Sequence, residues 1–171
     1  MKKTKKAEER WIGWHILENG KSLGYGDGRK PRCGQWLEVK NKRRVIGKCV
    51  YGMHACRRLA DLPFWLFRCD STIAIVELRQ PVLYPYGMKS VSRARRPLTR
   101  KMNCDDLNDE LVEALQRKMG RKVRFRTSYI LVRTAQHCYV WSVRWIAKRL
   151  GWKGTVDEAG ILIPPTKRGR A

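Results

Sequence analysis

The 171-residue sequence predicts an α+β fold: a single domain with a mixed or mainly antiparallel sheet and two longer helices in the C-terminal half. Three observations predict it. Short β-prone runs punctuated by glycine and proline fill the first hundred residues, and helical spacing of apolar residues follows. Hydrophobic residues make up 43% of the chain, with seven tryptophans, enough for one core at this length. The expected layout is a mobile basic arm at 1–10, one domain at 11–165 and a basic tail at 166–171.

RWIGWHIL at 10–17 alternates in the manner of a strand, and Asn19-Gly20 behind it is a hairpin signal, since both residues tolerate positive φ. GYGDGRKPRCG at 24–34 is glycine-rich like a phosphate-cradling loop, but such loops feed a helix N-terminus. Pro31 and a strand-like WLEVK follow instead, so the segment reads as a structural turn. VIGKCV at 45–50 and STIAIVEL at 71–78 are expected as central strands, the second apolar on both faces. Between them RRLADLPFWLF reads as a short helix, with Asp61 as its N-cap and Pro63 in its first turn. PVLYPY at 81–86 reads as an edge strand, because its prolines cannot donate to a ladder.

NCDDLNDELVEALQRKMG at 103–120 is expected to be a helix with Leu107, Leu111, Leu115 and Met119 on one stripe, acids in the first turn, Arg117 and Lys118 in the last, and Gly120 ending it. A second helix is expected from about Ser128 to Leu150. Its inward side would carry Leu131, Ala135, Cys138, Trp145 and Leu150, and another face Arg133, His137, Arg144 and Lys148.

Charge separates this chain from most of its size: 38 Lys and Arg oppose 15 Asp and Glu, a formal net charge of +23. Such an excess repels itself in the compact state and attracts phosphate backbones at long range, so DNA, RNA or a nucleoprotein complex is the expected partner. The candidate nucleic-acid-binding residues are Arg93, Arg95, Arg96 and Arg100, then Arg121, Lys122, Arg124 and Arg126, where KVRFR alternates basic with apolar, then Arg133, Arg144 and Lys148. Trp11, Trp14, Trp36, Trp141 and Trp152 are candidates for base stacking, against the commoner fate of tryptophan in a core. No apolar run approaches the length of a membrane span, and MKKTKKAEER has no apolar segment behind it, so the expectation is a cytoplasmic protein with no membrane partner.

CVYGMHAC at 49–56 sets His54 between Cys49 and Cys56. Cys33, Cys49, Cys56 and Cys69 lack the paired spacing of a zinc knuckle, so the expectation is no metal and no cofactor, with His54 packed at a strand-to-helix corner and the two cysteines as buried thiols. Zinc gathered by the fold is the sharper alternative. A Cys-His nucleophile would need an orienting group, for which only Asp61 or Asp70 is near in sequence.

LGYGDGR at 23–29, CVYGMHAC, STIAIVEL and MKSVSRARRPL at 88–98, in that order, resemble an uncharacterised domain family of bacteriophages and prophages. In its pattern a glycine-rich turn is followed by C-x-x-G-[LMF]-H-A, a short helix, a strand and a D-K-x-x-x-x-R-like stretch. The likeness spans about residues 11–98, with Met88-Lys89 where the pattern has Asp-Lys. It implies a phage context, with the host cytoplasm as location, and no reaction. A looser similarity to ADP-ribosyltransferase-like folds, on Gly52-Met53-His54-Ala55 followed by a helix and STIAIVEL, would make His15 and Glu77 the nearest catalytic candidates. The leading expectation is a non-catalytic accessory protein, with a transferase, or an inhibitor or structural protein recognising an acidic protein surface, as alternatives.

Overall fold

The computed structural model describes residues 10–17, 32–40, 53–62, 71–83, 89–120 and 139–166. The fold is α+β, a single domain with a mostly antiparallel sheet and its longer helices in the C-terminal half. Strand β1 (Arg10–Leu17) lies between β3 (Met53–Cys56) and β4 (Thr72–Arg79), antiparallel to both. Outward from β4 come β7 (Ala94–Pro97) and β2 (Leu37–Glu38). Outward from β3 come β6 (Lys89–Ser92) and β5 (Val82–Leu83), and β8 (Met102–Asn103) also pairs with β4. A separate two-stranded ribbon joins β9 (Thr155–Val156) to β10 (Leu162–Ile163).

Arg93 alone separates β6 from β7, yet these strands pair with β3 and β4, on opposite sides of β1. In a flat sheet with strands about 4.8 Å apart they would lie about 19 Å from each other. Cα atoms two residues apart reach only about 7 Å. The sheet therefore curls until segment 89–97 bridges β3 and β4. Ser92 pairs with Met53, Ala94 pairs with Arg79, and the Ser92 hydroxyl donates to the Arg79 carbonyl.

Curling gives the sheet a convex and a concave face, and the alternation of β1 and β4 supplies apolar side chains to both. On the convex face Trp14, Ile16, Ile73 and Ile75 pack with Leu107, Leu111, Val143, Ile146 and Leu150 of the helices. On the concave face Trp11, Ala55, Ala74, Val76 and Leu78 form a second cluster. Gly13 allows this: a Cβ there would sit 2.4 Å from the Cys56 carbonyl oxygen and 2.5 Å from the Trp11 ring.

Helix α1 (Cys104–Met119) starts at Asn103, whose side chain accepts from the Asp105 and Asp106 amides at 2.7 and 3.4 Å. It ends at Gly120, φ 65°. Helix α2 (Val140–Leu150) runs antiparallel to it, since Glu110 bonds Arg149 at one end of the pair and Lys118 lies over Trp141 at the other.

Several expectations change. Met119 is 40% exposed, because a residue every fourth position advances about 40° per step around a helix of 3.6 residues per turn and the fourth leaves the core side. A single helix over 128–150 is not formed: Tyr139 is extended (ψ 95°), and α2 begins only at Val140. Leu150 is buried as expected, and Trp145 is partly buried against the core. Asp61 is not the N-cap of a helix starting at Leu62, which is extended (ψ 135°), and the rest of that stretch, 63–67, lies outside the described residues. Asp61 closes a 3₁₀ turn, Leu59–Asp61, by accepting from the Arg58 amide at 3.1 Å and the Arg58 guanidinium at 2.7 Å. The STIAIVEL strand and the edge position of β5 agree with expectation. The arm, the tail beyond 166, the Asn19-Gly20 turn, VIGKCV, KVRFR and Cys49 lie outside the described residues, as does most of the glycine-rich segment.

Candidate nucleic-acid interface

The predicted basic residues separate into distinct environments. On α2, Arg144 and Lys148 stand one turn apart on the exposed face, as their spacing requires. Arg144 reaches the Val156 carbonyl at 3.0 Å and Glu158 at 2.7 Å, which ties the helix to the β9–β10 ribbon, while Lys148 points into solvent. At the C-terminal end of α2 the Arg100 guanidinium donates to the Arg149 carbonyl, satisfying one of the orphan acceptors of a helix end. At the opposite end, Arg117, Lys118 and Tyr139 are exposed, Tyr139 by 58%, with Lys118 Nζ 4.7 Å from the centre of the Trp141 ring.

Arg96 belongs to a second basic area. Its Nε donates to Glu77 at 2.6 Å, and its guanidinium carbon lies 4.9 Å from the Trp36 ring centre, with that of Arg79 at 4.4 Å. Arg79 also meets Glu38 at 3.8 Å. Sequence reasoning missed Arg79 because its partners are set by the ladder: Glu77 faces Arg96, and Glu38 and Arg79 both face Ala94. Arg149 was missed too, although its place in the last turn of a helix was a signal.

Arg93 occupies the corner between β6 and β7, partly buried, with its Nη1 enclosed. Arg95 is 1% exposed, which removes it from any surface that could meet a phosphate backbone. It opposes Leu78 on the concave face, and its Nη1 donates to the His54 carbonyl at 3.0 Å. Trp11 and Trp14 are core residues and do not offer stacking surfaces. Trp152 packs against the core and donates to the Thr155 carbonyl at 3.2 Å. Arg121, Lys122, Arg124, Arg126 and Arg133 lie outside the described residues. The described helix α2 begins at Val140, behind an extended Tyr139, and of the expected basic face it carries Arg144 and Lys148.

His54 lies on β3, partly buried, and not at a strand-to-helix corner. Burial, then Lys89 and Arg95, lowers its pKa to about 4. Cys56 is buried on the convex face, donates to the Asp61 carbonyl at 3.3 Å, and is raised to about 12 mainly by burial. A thiol held so firmly protonated is not an activated nucleophile. Among the described residues no three His, Cys, Asp or Glu side chains converge as metal ligands would. His15 and Glu77 are not brought together: His15 faces Ala74 and Glu77 faces Ile12, three residues apart along β4 and hence on opposite faces of the sheet. Glu77 is instead bound to Arg96.

The Arg117–Lys118–Tyr139 end and the Arg79–Arg96–Trp36 area set cations against aromatic rings, a combination suited to a phosphate backbone and its bases, and the Arg144–Lys148 face adds exposed cations. The chain matches no protein-family model, no curated protein and no solved structure.

Proposed function

We propose that the protein binds DNA or RNA, bare or within a nucleoprotein complex, as a non-catalytic accessory protein of bacteriophage type. The observation that carries this reading is the charge excess, 38 cations against 15 carboxylates. The carboxylates of Asp61, Glu77, Glu110 and Glu158 are already engaged by Arg58, Arg96, Arg149 and Arg144, so they leave most of the positive field uncancelled. A polyanion that neutralises this field relieves self-repulsion and releases counterions, which favours binding twice over. Phage origin rests on the sequence likeness over 11–98 alone.

Fluorescence anisotropy with labelled duplex and single-stranded oligonucleotides over a salt series tests it. Replacing Arg117, Lys118, Arg144 and Lys148 together with Ala should weaken binding to every sequence. It should also lower the log–log salt slope by roughly two to four units, at about 0.9 per phosphate contact on duplex DNA. Circular dichroism checks that the variant is folded. A folded variant with unchanged affinity and slope overturns the assignment of this face. Wild-type protein that binds neither oligonucleotide at low salt, but captures an acidic protein from nuclease-treated lysate, supports the inhibitor alternative.

A further inference from the structure

Leu37 faces Arg95 across the β2–β7 ladder, so its neighbours Trp36 and Glu38 take the opposite, convex face, where Arg96 of β7 stands beside Glu77 of β4. Arg79 shares that face, since it follows Glu77 by one full alternation of the same strand. The result is a stack of planar groups: the guanidinium carbons of Arg79 and Arg96 lie 4.4 and 4.9 Å from the Trp36 ring centre. Each part is held in place. The Gly34 amide donates to the Pro97 carbonyl at 2.7 Å and the Val39 amide to the Arg93 carbonyl at 2.8 Å, which fixes the backbone on both sides of Trp36. Glu77 fixes Arg96, and Glu38 lies 3.8 Å from Arg79.

Two features separate this group from the basic helix faces. Its charges cancel, because the two guanidiniums are matched by the carboxylates of Glu77 and Glu38. A group so compensated attracts phosphate weakly and releases few counterions, unlike the solvent-facing Lys148. Its planes are also at the surface: the Arg79 and Arg96 side chains are 32% and 27% exposed, Trp36 is partly exposed, and residues 32–35 leading to it are exposed. Flat groups of this kind hold a nucleobase by stacking, on an indole or on a guanidinium plane. A base has a face to offer only where it is unpaired and unstacked, as in a single strand, because in a duplex the base faces cover one another.

We propose, resting on the nucleic-acid reading above, that the Trp36–Arg79–Arg96 stack is the base-binding part of the interface and takes an unpaired base of a single strand, while the helix-face cations hold the phosphates. A Trp36 that merely shielded the buried Glu77–Arg96 pair would add stability without conferring any preference for bases. Fluorescence anisotropy of the full chain at one salt concentration compares three labelled probes of equal length: oligothymidylate, the same sugar-phosphate strand without bases, and a duplex. The wild type should bind oligothymidylate about tenfold more tightly than the abasic strand, the worth of one stacked base. Trp36→Leu keeps apolar cover over the ion pair but has no plane on which to stack. It should abolish the tenfold difference, leave the abasic and duplex affinities unchanged, and leave the salt slope on oligothymidylate unaltered, because no phosphate contact is lost. Trp36→Phe, which retains a ring, should keep most of the preference, and circular dichroism checks that both variants are folded. Equal wild-type affinities for the base-bearing and abasic strands overturn the stacking proposal without any variant, and leave nucleic-acid binding standing. A folded Trp36→Leu that keeps the preference, or that loses duplex affinity equally, overturns it too. Wild-type protein that binds none of the three probes at low salt overturns the nucleic-acid reading and this inference together.

Discussion

Arg96 reaches across from β7 to Glu77 on β4, Nε to Oε2 2.6 Å, and seals a carboxylate that is only 3% exposed. Because the acid is buried and the guanidinium is partly solvated, the two partners are unequal under mutation. Arg96→Ala takes the guanidinium away from a buried carboxylate and should cost about 3 kcal/mol, measurable by urea denaturation. The double replacement Arg96→Met with Glu77→Leu should recover most of that loss, because it removes the desolvated charge as well. A single Arg96→Ala variant as stable as the wild type would show that the Arg96–Glu77 bond contributes nothing to the fold.

Stability should fall as the protein is acidified from pH 7 toward pH 4. The pKa of His54 lies at about 4 in the folded chain, below the ordinary imidazole value of 6.5 expected when unfolded. Between those values the unfolded chain binds the extra proton, so stability is fully present above about 6.5 and is lost on the way down to about 4. His15 adds to the loss in the same direction. His54 alone accounts for roughly 2–3 kcal/mol by this linkage. Urea midpoints at several pH values, in moderate salt to screen surface repulsion, check this, and His54→Gln should flatten the dependence.

Thiol reactivity should divide sharply. Cys33 is exposed, while Cys56 and Cys104 are buried and held at about 12, mainly by burial. Iodoacetamide at pH 8 followed by peptide mass spectrometry should label Cys33 in the native protein, and label Cys56 and Cys104 only after denaturation. Rapid native labelling of Cys56 would contradict the packing of β3 against the convex core.

Elements whose causes are local are legible in the amino-acid order alone. β4 is one, because both of its faces are apolar, and α1 is another, because Asn103, the acids behind it and Gly120 mark its ends. The curl of the sheet is not legible, since it follows from which strands β6 and β7 choose as neighbours, a pairing between residues far apart in sequence. Arg95 is misplaced on the surface for that reason. Arginine is ordinarily a surface residue, and only the ladder reveals that Arg95 faces Leu78 while the next residue, Arg96, faces Glu77 on the other side. The start of α2 is set too early because apolar spacing carries no mark of an extended Tyr139.

The single residue between β6 and β7 makes chain length itself a determinant of which arginine faces where. Strand alternation has a period of two, so one residue inserted beside Arg93, with the pairing of β4 to the remainder retained, shifts β7 by one place and exchanges its faces. Arg96 would then be carried into the concave interior and Arg95 out toward Glu77. Two inserted residues would restore the alternation and leave the excess as a bulge at the corner. Tolerance of insertions at Arg93 should therefore follow parity, two residues being accepted where one is not, as thermal unfolding of the two insertion variants would show.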